Sequence, residues 1–201
     1  MADKLDTSPE EEAIKDEARQ FMNNLVVSSE GDDDDAATSP TAKGTEKIQA
    51  WKEFYQTKCS QQQTTTEDDG IIIMSKFWSL YDPNVTSIWT MTYDEADSNE
   101  NLDETIDIVN TLVNEETMES IRDDCFGIVH TLESLELEGL WFFNGPDPEL
   151  LFGANEETSW YTFAQLGPEA TDLVQVAVAN LLTPTDGKFN GKVIQDTKVF
   201  C

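Results

Sequence analysis

Acid–base or nucleophilic chemistry needs a small set of side chains, and this sequence supplies few of them. Its only histidine is His130, so a Ser/His/Asp or Cys/His arrangement has one possible base. That histidine sits in Phe126-Gly127-Ile128-Val129-His130-Thr131-Leu132, a strand-like setting that predicts a packed or surface residue. The three cysteines, Cys59, Cys125 and Cys201, are odd in number and far from metal-ligand spacing. No phosphate-cradling GxxxxGK[ST] or GxGxxG loop occurs. Acids are abundant, at 41 against 12 bases, and the net charge is −29. Adjacent acids such as Asp32 to Asp35, Asp68-Asp69 and Asp123-Asp124 are therefore expected by chance, and none follows the calcium-loop pattern. The expectation is no catalytic, cofactor-binding or metal-binding residue and no enzyme activity, with a carboxylate-dependent hydrolase as the minor alternative.

The acidity has other consequences. Nucleic-acid binding relies on Lys and Arg to displace counterions from phosphates, and the same repulsion applies to anionic lipid surfaces. Direct nucleic-acid or membrane contact is not expected, and basic protein surfaces are favoured as partners. Ser28 and Ser29 precede Glu30 and Asp32–Asp35, a setting that suits an acidophilic kinase, so both are candidate phosphorylation sites. The first residues hold no apolar leader and no run reaches membrane-spanning length. With so few cysteines, a reduced, cytoplasmic location is expected.

The elements that position these residues fall into two parts. Residues 1–43 carry 12 acids against 4 bases and no Trp or Tyr, and read as a mostly disordered tail. Within it, Ser8-Pro9-Glu10-Glu11 resembles a helix start, and Ile14, Ala18, Phe21 or Met22, and Leu25 continue one apolar stripe. This predicts an amphipathic helix over 9–25 that could dock on the domain or on a partner.

Residues 44–201 form the expected domain. Ile48, Trp51, Phe54 and Tyr55 make a helical stripe. The run from Ile71 to Tyr81 is apolar nearly all round and is expected to be a buried helix, ended by Asp82-Pro83-Asn84. Ser87 to Tyr93 alternates as a strand, with Trp89, Met91 and Tyr93 on one side. Leu102, Ile106, Val109, Leu112 and Val113 mark a helix. Cys125–Leu132 and Leu140–Phe143 read as a hairpin with its turn between Glu133 and Gly139. Leu150-Leu151-Phe152-Gly153 reads as a possible short strand, and Trp160 to Leu166 alternates. Pro168 suits the first turn of a helix containing Leu173, Val174, Ala177 and Leu181, and Lys192 to Phe200 reads as a final strand. The expected class is α+β, with an antiparallel sheet of about five strands flanked by helices. On these strands Trp89, Trp141 and Phe163, with Trp78 on the preceding helix, are expected to build core rather than a ligand pocket.

An ordered set of motifs adds to this. Phe77-Trp78, Tyr81-Asp82, Ser87-Ile88-Trp89 and Tyr93 resemble the aromatic-rich start of the C-terminal domain of translation elongation factor 1-gamma. Trp51-Lys52-Glu53-Phe54-Tyr55 resembles that family's short opening helix. Gly139-Leu140-Trp141-Phe142-Phe143-Asn144-Gly145 is similar to its Gly-x-Trp-x-Phe-x-Gly strand. Tyr161-Thr162-Phe163 with Leu166 and Pro168, and Lys198-Val199-Phe200 at the end, resemble its later segments. The resemblance implies a small curved antiparallel sheet flanked by helices. It also implies a non-catalytic, structural or protein-binding role in translation elongation, with elongation factor 1 complex subunits as partners. The larger family members also carry a glutathione-transferase-like domain, which a chain of 201 residues is expected to lack. The alternative is a stand-alone acidic adaptor or chaperone-like protein that reuses the fold.

Overall fold

The computed structural model describes residues 41–59 and 67–201. The expected helix over 9–25 and the serines Ser28 and Ser29 lie outside the described residues. Helices α1 (Ala42–Cys59) and α2 (Glu67–Leu80) come first, followed by strand β1 (Thr86–Tyr93). Then come α3 (Leu102–Leu112), the one-turn α4 (Glu115–Met118), β2 (Cys125–Leu132) and β3 (Leu137–Asn144). The short helix α5 (Glu149–Ala154), β4 (Tyr161–Leu166), α6 (Asp172–Leu182), β5 (Lys188–Phe189) and β6 (Lys192–Phe200) complete the chain. The sheet order is β4-β1-β3-β2-β6-β5, antiparallel at every pairing. The α+β class with an antiparallel sheet stands, with a sixth strand of two residues at one edge.

The central strands are apolar on both faces, so both faces must be covered. All eight residues of β2 are buried, as are seven of the eight in β3. On one face α1 and α2 lay down Trp51, Tyr55 and Phe77 against Phe126 and Phe142. The rings meet edge-on or tilted, with Trp51 5.0 Å from Phe77 and 5.7 Å from Phe126, and Phe77 5.1 Å from Phe142. On the other face Met91, Cys125, Val129, Trp141, Phe143 and Phe200 pack with Val109 and Leu112 of α3, Met118 of α4 and Leu151 of α5. Trp141 is central there: it is fully buried, and its indole N–H points to the Met91 sulfur at 3.2 Å. Across the ladder its register partner is Gly127, where a Cβ would fall 2.6–2.8 Å from the indole ring. A glycine at that position is what lets the ring lie flat over the sheet.

Four expectations are corrected. Leu150–Gly153 is not a strand but part of α5, begun by an Asp147 carboxylate that accepts the Glu149 N–H at 3.1 Å. The Pro148 carbonyl then accepts from Leu151 and Phe152. A four-residue apolar run has no period long enough to separate helix from strand. Pro168 does not open α6. It follows a cis peptide after Gly167, its carbonyl accepts the Tyr81 hydroxyl at 2.8 Å, and the helix cap is Thr171, whose hydroxyl accepts from the Val174 N–H. Finally, α2 is not buried all round. Ile73 and Phe77 seat on the sheet while Ile71 and Ile72 are exposed, because α2 is an outer layer with one covered side. The β2–β3 turn is also tighter than expected: β3 begins at Leu137, and Leu135 takes a positive φ in the connection.

A row of polar side chains runs in register across β1, β3, β2 and β6, from half-buried Thr92 and Glu138 through buried His130 to exposed Thr197. His130 Nε2 lies 2.7 Å from the Leu181 carbonyl, and Nδ1 lies 2.8 Å from the Thr197 hydroxyl. The neutral ring with its proton on Nε2 satisfies both contacts, donating to a carbonyl in the last turn of α6 and accepting from Thr197. Burial lowers its pKa. Glu138 accepts the Thr92 hydroxyl at 3.0 Å, and burial pushes its carboxyl up to about 7.

These contacts give two expected outcomes. G127A forces the Trp141 ring to move and should cost about 1–3 kcal/mol in a urea unfolding series. G153A, in α5 with nothing near the added methyl, should cost nothing or gain up to about 1 kcal/mol. The Glu138 carboxyl is raised from 4.5 when exposed to about 7 when folded, so the folded state holds the extra proton between those values. Its contribution is complete below pH 4.5 and is lost as pH rises through 7, an effect of up to roughly 3 kcal/mol. E138Q keeps an acceptor for Thr92 without that loss. It should be more stable than the parent at pH 8 and equal to it at pH 4, with the His130 contribution common to both chains.

Candidate binding cleft

A cleft of about 410 Å³ opens where β1 ends and β4 begins, beside α3. Tyr93, the last residue of β1, is the register partner of Tyr161, the first of β4, and their rings lie 5.1 Å apart. The backbone is fixed there by the Asp94 N–H, which donates to the Trp160 carbonyl at 3.0 Å. Helix α3 supplies the facing wall. Asn101 caps it by accepting the Glu104 N–H, and Asp103 and Glu104 sit favourably in its first turn. Thr105, Val109 and Leu112 turn inward, and the adjacent stripe of Glu104, Asp107, Ile108 and Thr111 lines the cleft.

Asn155 holds the remaining wall in place. It is 6% exposed and sits where three elements meet. Its N–H donates to Leu151 and ends α5, and its side-chain carbonyl accepts the Glu157 N–H to begin a 3-10 turn over Glu156–Trp160. Its amide nitrogen donates to the Leu112 carbonyl at 2.8 Å, closing the end of α3. Glu157 and Trp160 are thereby presented across the cleft from Glu104 and Asp107.

The cleft is acidic and aromatic. Glu104, Asp107 and Glu157 are exposed carboxylates, and no ion pair among the described residues involves them. Trp160 is 52% exposed, whereas Tyr161 is 7% exposed and its hydroxyl has no hydrogen-bond partner among the described residues. Burial, then Tyr93 and Glu157, push the Tyr161 phenol far above its ordinary value. Burial, then Glu95 and Glu157, also raise Tyr93. The site has hydrogen-bond acceptors, ring faces and negative charge. It lacks an imidazole, a thiol and any strongly shifted carboxyl, so it is equipped to hold a cation rather than to move a proton.

The aromatic residues singled out from sequence lie elsewhere. Trp141 is the centre of the buried core. Trp89 is half-buried against that core, with its indole N–H donating to the Ser87 hydroxyl at 3.0 Å. Phe163 is half-buried and edge-on to Phe152 at 5.3 Å. Trp78 is half-buried on α2, edge-on to Phe77 and Tyr81. His130 is committed to Leu181 and Thr197, and burial pushes the Cys125 thiol up to about 12. Among the described residues no group of three His, Cys, Asp or Glu side chains is placed to hold a metal ion. Sequence reasoning missed the cleft. Its best signal was Glu104, Asp107, Ile108 and Thr111 at helical spacing. Trp160 was read into a strand alternation, but it ends the 3-10 turn instead.

Comparison with known proteins bears on the whole domain. The family model described as "Elongation factor 1 gamma, conserved domain" matches residues 33–147. That segment holds the α3 wall and Tyr93, while Glu157, Trp160 and Tyr161 lie beyond it. "Elongation factor 1-gamma 3" of Oryza sativa subsp. japonica is 24% identical over 157 residues, covering 76% of this chain and 35% of that protein. The chain thus spans about a third of the length of the curated relative it matches. The ordered aromatic motifs, the helix-covered antiparallel sheet and a family model matching more than half of the sequence agree, and the chain belongs to the elongation factor 1-gamma conserved-domain family.

Proposed function

We propose that this chain is a non-catalytic, cytoplasmic protein-binding domain that associates with the translation elongation machinery through elongation factor 1 subunits. Family membership supports the association with elongation. The observation that carries the binding role is the acidic aromatic cleft, whose three carboxylates have no cation among the described residues to neutralise them. The non-catalytic reading is supported by how the reactive side chains are used. His130 joins β2 to α6, Cys125 is a buried thiol, and Glu138 is held against Thr92 inside the sheet layers. In this reading residues 1–43 act as an acidic tail with Ser28 and Ser29 open to phosphorylation, and residues 44–201 form the binding domain. The net charge of −29 selects for basic partner surfaces. Among the described residues no helix is long and apolar enough to cross a membrane.

The test is capture from native cytosol on the immobilised full chain, beside an unrelated protein of matched net charge. Elongation factor 1 subunits should be enriched on the chain over the acidic control. They should be released as salt is raised, because screening shortens electrostatic reach from about 8 Å at physiological ionic strength to about 3 Å at 1 M. Equal recovery on both proteins would remove the association with elongation.

A further inference from the structure

The cleft between α3 and the start of β4 combines two observations that point to a ligand. Its rim has unpaired charge, and its floor has an unpaired buried polar atom. Native proteins rarely leave a buried hydroxyl without a partner, and Tyr161 is 93% buried with its Oη unsatisfied among the described residues. Beside it stands Trp160, a large apolar side chain half open to solvent in the same cleft.

The chemistry of the occupant follows from the arrangement. A compact hard cation needs several oxygens converging on one point. Glu104, Asp107 and Glu157 do not converge in that way, since no metal-holding group of three occurs among the described residues. Carboxylates spread along a rim beside ring faces suit a flat, delocalised cation instead. A guanidinium stacks on aromatic faces and carries five N–H donors in one plane, so it can serve several acceptors at once. A lysine ammonium is a compact, strongly hydrated charge and gains less from flat walls. Phosphate and anionic lipid are repelled here, and the field of the whole chain draws basic segments inward.

We propose that the cleft is a socket for an arginine side chain carried on a basic segment of a partner protein. The guanidinium lies against Trp160 in the field of the rim carboxylates of Glu104, Asp107 and Glu157, and supplies the missing partner of the Tyr161 hydroxyl. This inference rests on reading the chain as a protein-binding domain and specifies the contact that such a domain makes.

The test titrates the full chain with a short capped peptide bearing one arginine. The same peptide with citrulline, which keeps the shape and removes the charge, is the control, and a lysine version is run alongside. Binding is followed by calorimetry and by the indole N–H resonance of Trp160. The arginine peptide should bind at least tenfold tighter than the citrulline peptide, more tightly than the lysine peptide, and more weakly as salt rises. The triple variant E104Q/D107N/E157Q should lose at least tenfold, W160A a similar amount, and Y161F roughly threefold to tenfold. Each variant is first matched to the parent by thermal melting, and Y161F and the amide variants are conservative enough to fold. Equal affinity for arginine and citrulline peptides, or undiminished binding by the triple variant, overturns the socket. If binding appears only after K15Q/R19Q, the chain's own N-terminal segment is the occupant and the partner assignment falls. If elongation factor 1 subunits are captured while no arginine peptide binds, the socket fails and the broader reading stands. If the arginine peptide binds while no such subunit is captured, the socket stands and the association with elongation falls.

Discussion

Double-sided burial of the central strands governs the rest of this molecule. Strands β1, β3 and β2 carry large apolar side chains on both faces, and an antiparallel sheet of that kind cannot leave either face in water. One face takes Trp51, Tyr55 and Phe77 from α1 and α2. The other takes the shorter helices α3, α4 and α5 around Trp141. The cleft lies beside this second layer, lined by the outer stripe of α3 on one side and by Tyr93, Glu157, Trp160 and Tyr161 on the other.

Long periodic elements were legible in the sequence because their residue types repeat with a clear helical or strand period. Helix α3 follows its apolar stripe, and β1 follows its alternation from Ser87 to Tyr93. Short elements were not, since their geometry comes from caps and tertiary contacts. Helix α5 depends on Asp147 and Pro148, and the start of α6 depends on Thr171 rather than on the proline three residues before it. Ile71 and Ile72 show a different limit. Hydrophobicity alone does not say which side of an outer helix receives a neighbour.

The candidate site was hidden for the same reason. Its charged half lies on α3, where acids at Glu104 and Asp107 look like ordinary solvated helix residues. Its aromatic half lies on a 3-10 turn whose position is set by Asn155, a residue with no pattern to announce it. The hydrogen bonds of that one side chain and backbone turn separate elements into one wall. Trp160 therefore leaves the alternation that its sequence neighbours obey and projects into the cleft.

A net charge of −29 alone would make this chain attractive to any basic surface, with little selectivity. Selectivity needs acceptors that are fixed in place and a surface that rewards one cation shape over another. The described lysines near acids are already paired, as Lys43 and Lys47 are with Asp82 and Lys198 is with Asp196, so those few acids are locally balanced. Glu104, Asp107 and Glu157 are not balanced in this way, and their positions are held by a capped helix, a capped turn and a backbone bond from Asp94 to Trp160. Preorganised acceptors do not have to be ordered again when a ligand arrives, which lowers the entropic cost of binding. Diffuse charge would draw basic partners toward this protein, and fixed acceptors in the cleft between α3 and β4 would let one of their side chains be recognised.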